Sequence, residues 1–106
     1  MSDPDGPLFL VVTIKPRLDR LEEAEAQLQS MRRNSLAEPG CVFMHLVQPL
    51  DDPESWMMLE MFESRAAWDE HMRQPYNTEG NVILEDLLRA PSELRLCEEK
   101  VHPAMS

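Results

Sequence analysis

The run Leu8 to Lys15 (LFLVVTIK) lies between Pro7 and Pro16 and is apolar at successive rather than alternate positions. Rich in β-branched residues and bounded by prolines, it reads as a strand. Successive side chains of a strand point to opposite faces, so a run of this kind needs both faces covered. The chain has only 106 residues, and halves of it would be too short to bury separate cores, so it reads as a single domain, with a core over about 8–100 and frayed tails before Leu8 and after His102. A few elements must therefore shield a sheet that is apolar on two sides.

After Pro16 the period changes. Leu21, Ala24, Leu28, Met31 and Ser35 recur at helical spacing within Asp19 to Ala37, with acids early and bases late, as the helix dipole favours. Pro39-Gly40 is expected to stop that helix. Cys41 to Leu50 and Ser55 to Glu63 are further strand candidates; the acidic turn Asp51-Asp52-Pro53-Glu54 between them makes a hairpin. Ser64 can cap a helix running to about Arg73, which Pro75 should interrupt. A second helical piece is expected over Val82 to Leu88, with Ile83, Leu84, Leu87 and Leu88 on one side, ended by Pro91. Glu93 to Lys100 alternates Leu94 and Leu96 with Arg95, Cys97 and Glu99 and is expected as the last strand.

The order is β-α-β-β-α-β with the second helical region in two pieces, which predicts an α+β, ferredoxin-like antiparallel sheet with helices on one face. The first and third strands are apolar on both faces, so the uncovered face is expected to bury itself against a second copy in a homodimer. In this topology the strands of Cys41 and Cys97 lie at opposite sheet edges, about 14 Å apart. That is too far for a disulfide, and buried small hydrophobes are the simpler reading of both.

Charge narrows the partners. Twenty acidic against ten basic residues give a net charge of -10, which repels nucleic acid and anionic membrane surfaces alike. No stretch approaches the roughly 20 apolar residues of a spanning helix, and Met1 to Pro7 lacks the pattern of a signal peptide; a cytoplasmic location is the expectation. His45, His71 and His102 show no HxH or HExxH spacing, and the two cysteines form no CxxC pair, so no metal site is expected. There is also no GxGxxG fingerprint for a dinucleotide.

Several pieces in order, namely Glu38-Pro39-Gly40-Cys41, the Asp51-Asp52-Pro53 turn, Leu59-Glu60-Met61-Phe62-Glu63-Ser64, Trp68 to His71 and Gln74-Pro75-Tyr76, together resemble the antibiotic biosynthesis monooxygenase family over about Leu8 to Lys100. The resemblance implies a dimeric ferredoxin-like fold. Its implied activities diverge: cofactor-independent oxygenation of polyphenols and quinols, haem degradation, or isomerisation of a phosphorylated sugar. Haem-degrading members use an asparagine on the first strand, a tryptophan where this chain has Phe62, and a histidine late in the second helical region; none of these is present here. A phosphosugar isomerase should offer basic groups, and Arg73 is the main one near the expected site.

The expectation is therefore a cofactor-independent monooxygenase that brings dioxygen to a small phenolic or quinol-type aromatic substrate. The alternatives are a noncatalytic ligand-binding or stress-related module and an isomerase-like enzyme. With no cofactor, the substrate must supply the electrons, and a deprotonated phenol does so best. His71 is the expected base, since its ordinary pKa of about 6.5 lies near working pH; it also looks like the family's recurrent histidine. The competing reading is a buried helix histidine bonded to a backbone carbonyl. Tyr76 is expected to donate to a substrate oxygen, with Arg73 and Asn77 assisting at the mouth. Candidate walls are Phe43, Trp56, Phe62, Trp68 and Met72, together with Phe9, Val11 and Met58. Glu60 shares a strand face with Trp56, Met58 and Phe62, where a buried carboxylate needs a partner; either an arginine pairs with it or it holds a catalytic histidine in one tautomer.

Overall fold

A computed structural model describes residues 6–100, so His102 and the outer tails lie outside the described residues. The elements run β1 (Leu8–Ile14), α1 (Leu21–Leu36), β2 (Cys41–Val47), β3 (Trp56–Phe62), α2 (Arg65–Met72), α3 (Pro75–Glu85) and β4 (Glu93–Glu98). The strands form one antiparallel sheet in the order β2-β3-β1-β4, the ferredoxin-like arrangement expected from the element order. β2 and β4 are the edges, and Cys41 and Cys97 are both free thiols.

Register separates the two faces. Leu10 lies opposite Glu60, Val12 opposite Met58 and Ile14 opposite Trp56, and Met44 opposite Glu60 on the other side. This face meets the helices, with Leu10, Ile14, Met44, Met58 and Phe62 all buried. The opposite face carries Phe9, Val11, Phe43, Met57, Leu59 and Met61, none of them more than partly covered within one chain. The two-sided apolar strands thus have one side packed and one open.

α1 packs on β2 and α3, while α2 lies on β3. α1 buries Ala24, Leu28 and Ser35, part of the stripe that its spacing predicts. It ends earlier than Pro39-Gly40 suggests, at Leu36, and no glycine has a positive φ. Gly40 is needed for another reason: a Cβ there would sit 2.5 Å from the Ala67 Cβ of α2.

The second helical region corrects the expected boundaries. Pro75 opens α3 as its first residue instead of separating two pieces, because a proline's fixed φ and missing N–H suit the first turn of a helix. The helix runs to Glu85 and buries Asn77, Gly80 and Leu84. Val82 and Ile83 are exposed, whereas Leu87 and Leu88 are buried just beyond the helix. Apolar spacing located Leu84, Leu87 and Leu88 correctly as core and erred at Ile83, and it missed Asn77 and Gly80, which with Leu84 are the buried residues of α3.

Candidate functional site

A cavity of about 250 Å³ lies between the helix-side face of the sheet and the three helices. Leu10, Val12, Met44 and Met58 form its floor, and Leu28, Met31 and Leu84 close it from above. Its polar groups are few: Glu60 from β3, His71 from α2, Ser35 from α1, Asn77 and Asn81 from α3, and Ser92 before β4.

His71 is placed by local chemistry. Ser64 is extended at the N-cap of α2 and its hydroxyl accepts the Ala67 N–H at 3.1 Å, which fixes where the helix starts. Ala67 and His71 then share a face one turn apart. The approach of Ala67 to Gly40 draws the loop after α1 against this face, while the Glu63 N–H donates to the Gly40 carbonyl at 2.8 Å. Glu38, in that loop, thereby reaches the histidine, with His71 Nδ1 lying 2.9 Å from Glu38 Oε2. The imidazole is 5 % exposed, and the Phe62 ring packs on it with centroids 4.9 Å apart.

A carboxylate facing Nδ1 assigns the proton to that nitrogen, so the neutral ring keeps Nε2 as an acceptor. Tyr76 joins the same cluster. Its hydroxyl donates to Glu38 Oε2, and its oxygen lies 3.3 Å from Ser35 Oγ and 3.4 Å from His71 Nδ1. The carboxylate is thus held from two sides. Glu38, not Glu60, is the residue that orients the histidine.

Glu60 stands apart from this cluster. It is 9 % exposed on the central strand β3, flanked by Leu10 and Met44, and burial pushes its carboxyl up to about 7. No ion pair or hydrogen bond to it is found among the described residues; Arg32, within reach of the same strand pair, donates its Nε to the Met44 carbonyl at 2.5 Å instead. Burial, then the charges of Glu38 and Glu60, raise the thiol of nearby Cys41 to about 11, which disfavours its thiolate.

Residues 7–80 match the antibiotic biosynthesis monooxygenase family. The chain belongs to this family. The matched segment contains Glu38, Glu60, His71 and Tyr76. An uncharacterised protein of Synechocystis sp., sll1783, is 32% identical over 92 residues, which are 87% of this chain and 63% of that protein, so the chain spans less than two thirds of this relative's length. Rv0793 of Mycobacterium tuberculosis, which carries a provisional monooxygenase name, is 29% identical over 81% of this chain and 84% of its own. Its solved structure superposes with a TM-score of 0.84, covering 92% of this chain and 99% of that one at 24% identity. A conserved protein of Methanosarcina mazei gives a TM-score of 0.86 at 23% identity, covering 92% of this chain and 96% of the other.

Within this antibiotic biosynthesis monooxygenase domain, the residues singled out in the sequence fall into two groups. Trp68, His71, Met72 and Asn77 surround the cavity, with Met58 beneath them. The others lie elsewhere. Phe43, with Phe9 and Val11, is on the open sheet face, stacked on His45 at 5.1 Å; strand alternation puts it opposite the cavity. Trp56 is buried at the far end of β3, against the start of α1. Phe62 is fully buried beneath His71 and does not reach the cavity. Arg73 is exposed and paired with Glu70 at 2.5 Å. Tyr76 turns its hydroxyl to Glu38, because Pro75 starts a helix there and not a loop at a pocket mouth. Glu38 itself was missed as a site residue, although it begins the Glu38-Pro39-Gly40 signature. Among the described residues no cluster of three or more His, Cys, Asp or Glu could hold a metal, and no helix is long and apolar enough to cross a membrane.

Proposed function

We propose that this domain is a cofactor-independent monooxygenase of a phenolic or quinol-type aromatic substrate, with His71 as the base. The observation that carries this reading is the His71 imidazole at the wall of an apolar cavity, with Nδ1 committed to Glu38 and no hydrogen bond to Nε2 found among the described residues. Nε2 takes the phenolic proton, and the carboxylate of Glu38 stabilises the imidazolium that results. The phenolate is the reductant. It gives electrons to dioxygen and a C–O bond forms at a ring carbon; the peroxide takes the proton held by His71, and the O–O bond and that carbon's C–H bond then break as water leaves. For a quinol the sum is substrate plus dioxygen to hydroxyquinone plus water, the substrate supplying all four electrons. A phosphorylated substrate is disfavoured, since no lysine or arginine lines the cavity and Glu60 does.

Tyr76 in this reading is a positioning residue that holds Glu38, while Trp68, Met72 and Asn77 contact the ring. The reading also includes a homodimer formed through the open sheet face. Oxygen uptake with a panel of one- and two-ring quinols tests the chemistry. His71→Ala should lower kcat by about 10²-fold or more, as loss of a general base does. Glu38→Gln should cost about 10- to 10²-fold by releasing the tautomer. Uptake in the wild type no faster than the uncatalysed reaction overturns the proposal.

A further inference from the structure

Glu60 has no role in the proton transfer just described, and its position is costly without one. It sits on an interior strand, nine-tenths buried, between Leu10 and Met44, and it lines the cavity. A buried carboxyl with no protein donor is expensive in an apolar site unless something that binds there satisfies it. Its oxygens are not sealed in the core: every side-chain polar atom that is completely enclosed has a partner, whereas Glu60 lacks one among the described residues, so its carboxyl opens on the cavity. The other polar groups around the cavity are neutral amides and hydroxyls, apart from His71. With no Lys or Arg in its lining, such a site disfavours a ligand that arrives charged and rewards a neutral one that brings its own O–H donor.

Position and size define the ligand further. Glu60 is two residues before Phe62 on the same strand face, about 7 Å along the chain, and Phe62 supports the His71 ring. The two polar groups are therefore separate contacts across one cavity. An apolar cavity of about 150 Å³ accommodates benzene, so the 250 Å³ here suits one or two fused rings better than three.

We propose that Glu60 is a second anchor of the substrate site, accepting a hydrogen bond from the far hydroxyl of a one- or two-ring dihydroxyarene whose near hydroxyl faces His71. This assignment rests on the quinol reading above, but it concerns recognition and is tested without turnover. Under strict exclusion of oxygen, titration calorimetry compares 1,4-dihydroxynaphthalene with its monomethyl ether. Wild type should bind the diol at least tenfold more tightly. Glu60→Leu should bring that ratio to within twofold of one while leaving the ether's affinity unchanged, and Glu60→Gln, which retains an acceptor, should keep most of the preference. A three-ring dihydroxyanthrone should bind at least tenfold more weakly than the diol. A wild-type ratio near one, an unchanged ratio in Glu60→Leu, a three-ring ligand bound as well as the diol, or tighter binding of the 2-carboxylate of the same diol each overturns the assignment. The preference surviving in a protein that consumes no oxygen refutes the reaction and leaves the anchor; uptake without the preference does the reverse.

Discussion

Two carboxylates bear on one cavity from different surroundings. Glu38 sits against an imidazole and a phenol hydroxyl, so its charge is matched by donors. Glu60 has only Leu10 and Met44 across the sheet on either side, and burial raises it to about 7. The second case has a consequence for stability. An unfolded glutamate ionises near 4.3, so between about 4.3 and 7 the folded chain keeps a proton that the unfolded chain has lost. The contribution of the neutral form is complete below about 4.3 and disappears as pH rises through 7, a difference of about 3 kcal/mol. Glu60→Gln should therefore match wild type in thermal melts at pH 4.5 and melt about 10 °C higher at pH 8. Equal melting temperatures at pH 8 would show that the Glu60 carboxyl is not desolvated in the way described.

At the scale of elements, the site is assembled by a close approach. Gly40 lets the loop that carries Glu38 press on Ala67, one turn before His71. Gly40→Ala should force that loop and α2 apart, destabilise the chain by about 1–3 kcal/mol and lower oxygen uptake along with it. Gly80→Ala makes a useful contrast, because its added Cβ meets the flexible end of Met31 at 3.0 Å, where a side chain can move; uptake lost equally in both variants would count against a specific role for the Gly40 contact. These elements also mark what the sequence made legible. The strands, α1 and the Ser64 cap followed from periodicity and capping, which are local properties of neighbouring residues. The start of α3 did not, since proline both ends and begins helices and only the packing of Gly80 on α1 decides between them. Glu38 was invisible for a similar reason: its partner lies 33 residues away, and no spacing rule reports a contact made by folding. Phe43 and Trp56 looked like pocket walls because aromatic residues are conspicuous, yet one faces the wrong side of the sheet and the other packs at its far end.

For the whole molecule, the asymmetry of the sheet is the dominant physical fact. One face is covered by helices over β1, β2 and β3, and the other presents Phe9, Val11, Met57, Leu59 and Met61 in adjacent rows. Side chains of this kind bury with about 25 cal/mol per Å² of apolar surface removed from water, and among the described residues no element of the same chain packs on them. In the proposed homodimer a second copy would do so by symmetry, since an antiparallel sheet face related to itself by a twofold axis is self-complementary in pleat and polarity. The net charge of -10 opposes association, so in the proposed dimer the apolar rows would have to outweigh it, and raising salt should tighten the pair by screening that repulsion. Leu59 is the residue to test, being central in β3 and opposite His45 and Val11 in the neighbouring strands. Leu59→Arg places a charge in the middle of the face and leaves the cavity side of β3 untouched. Sedimentation should give a dimer for wild type and a monomer for the variant, with unchanged far-UV circular dichroism. A monomeric wild type at tens of micromolar, or a variant that stays dimeric, would place the contact elsewhere on the surface.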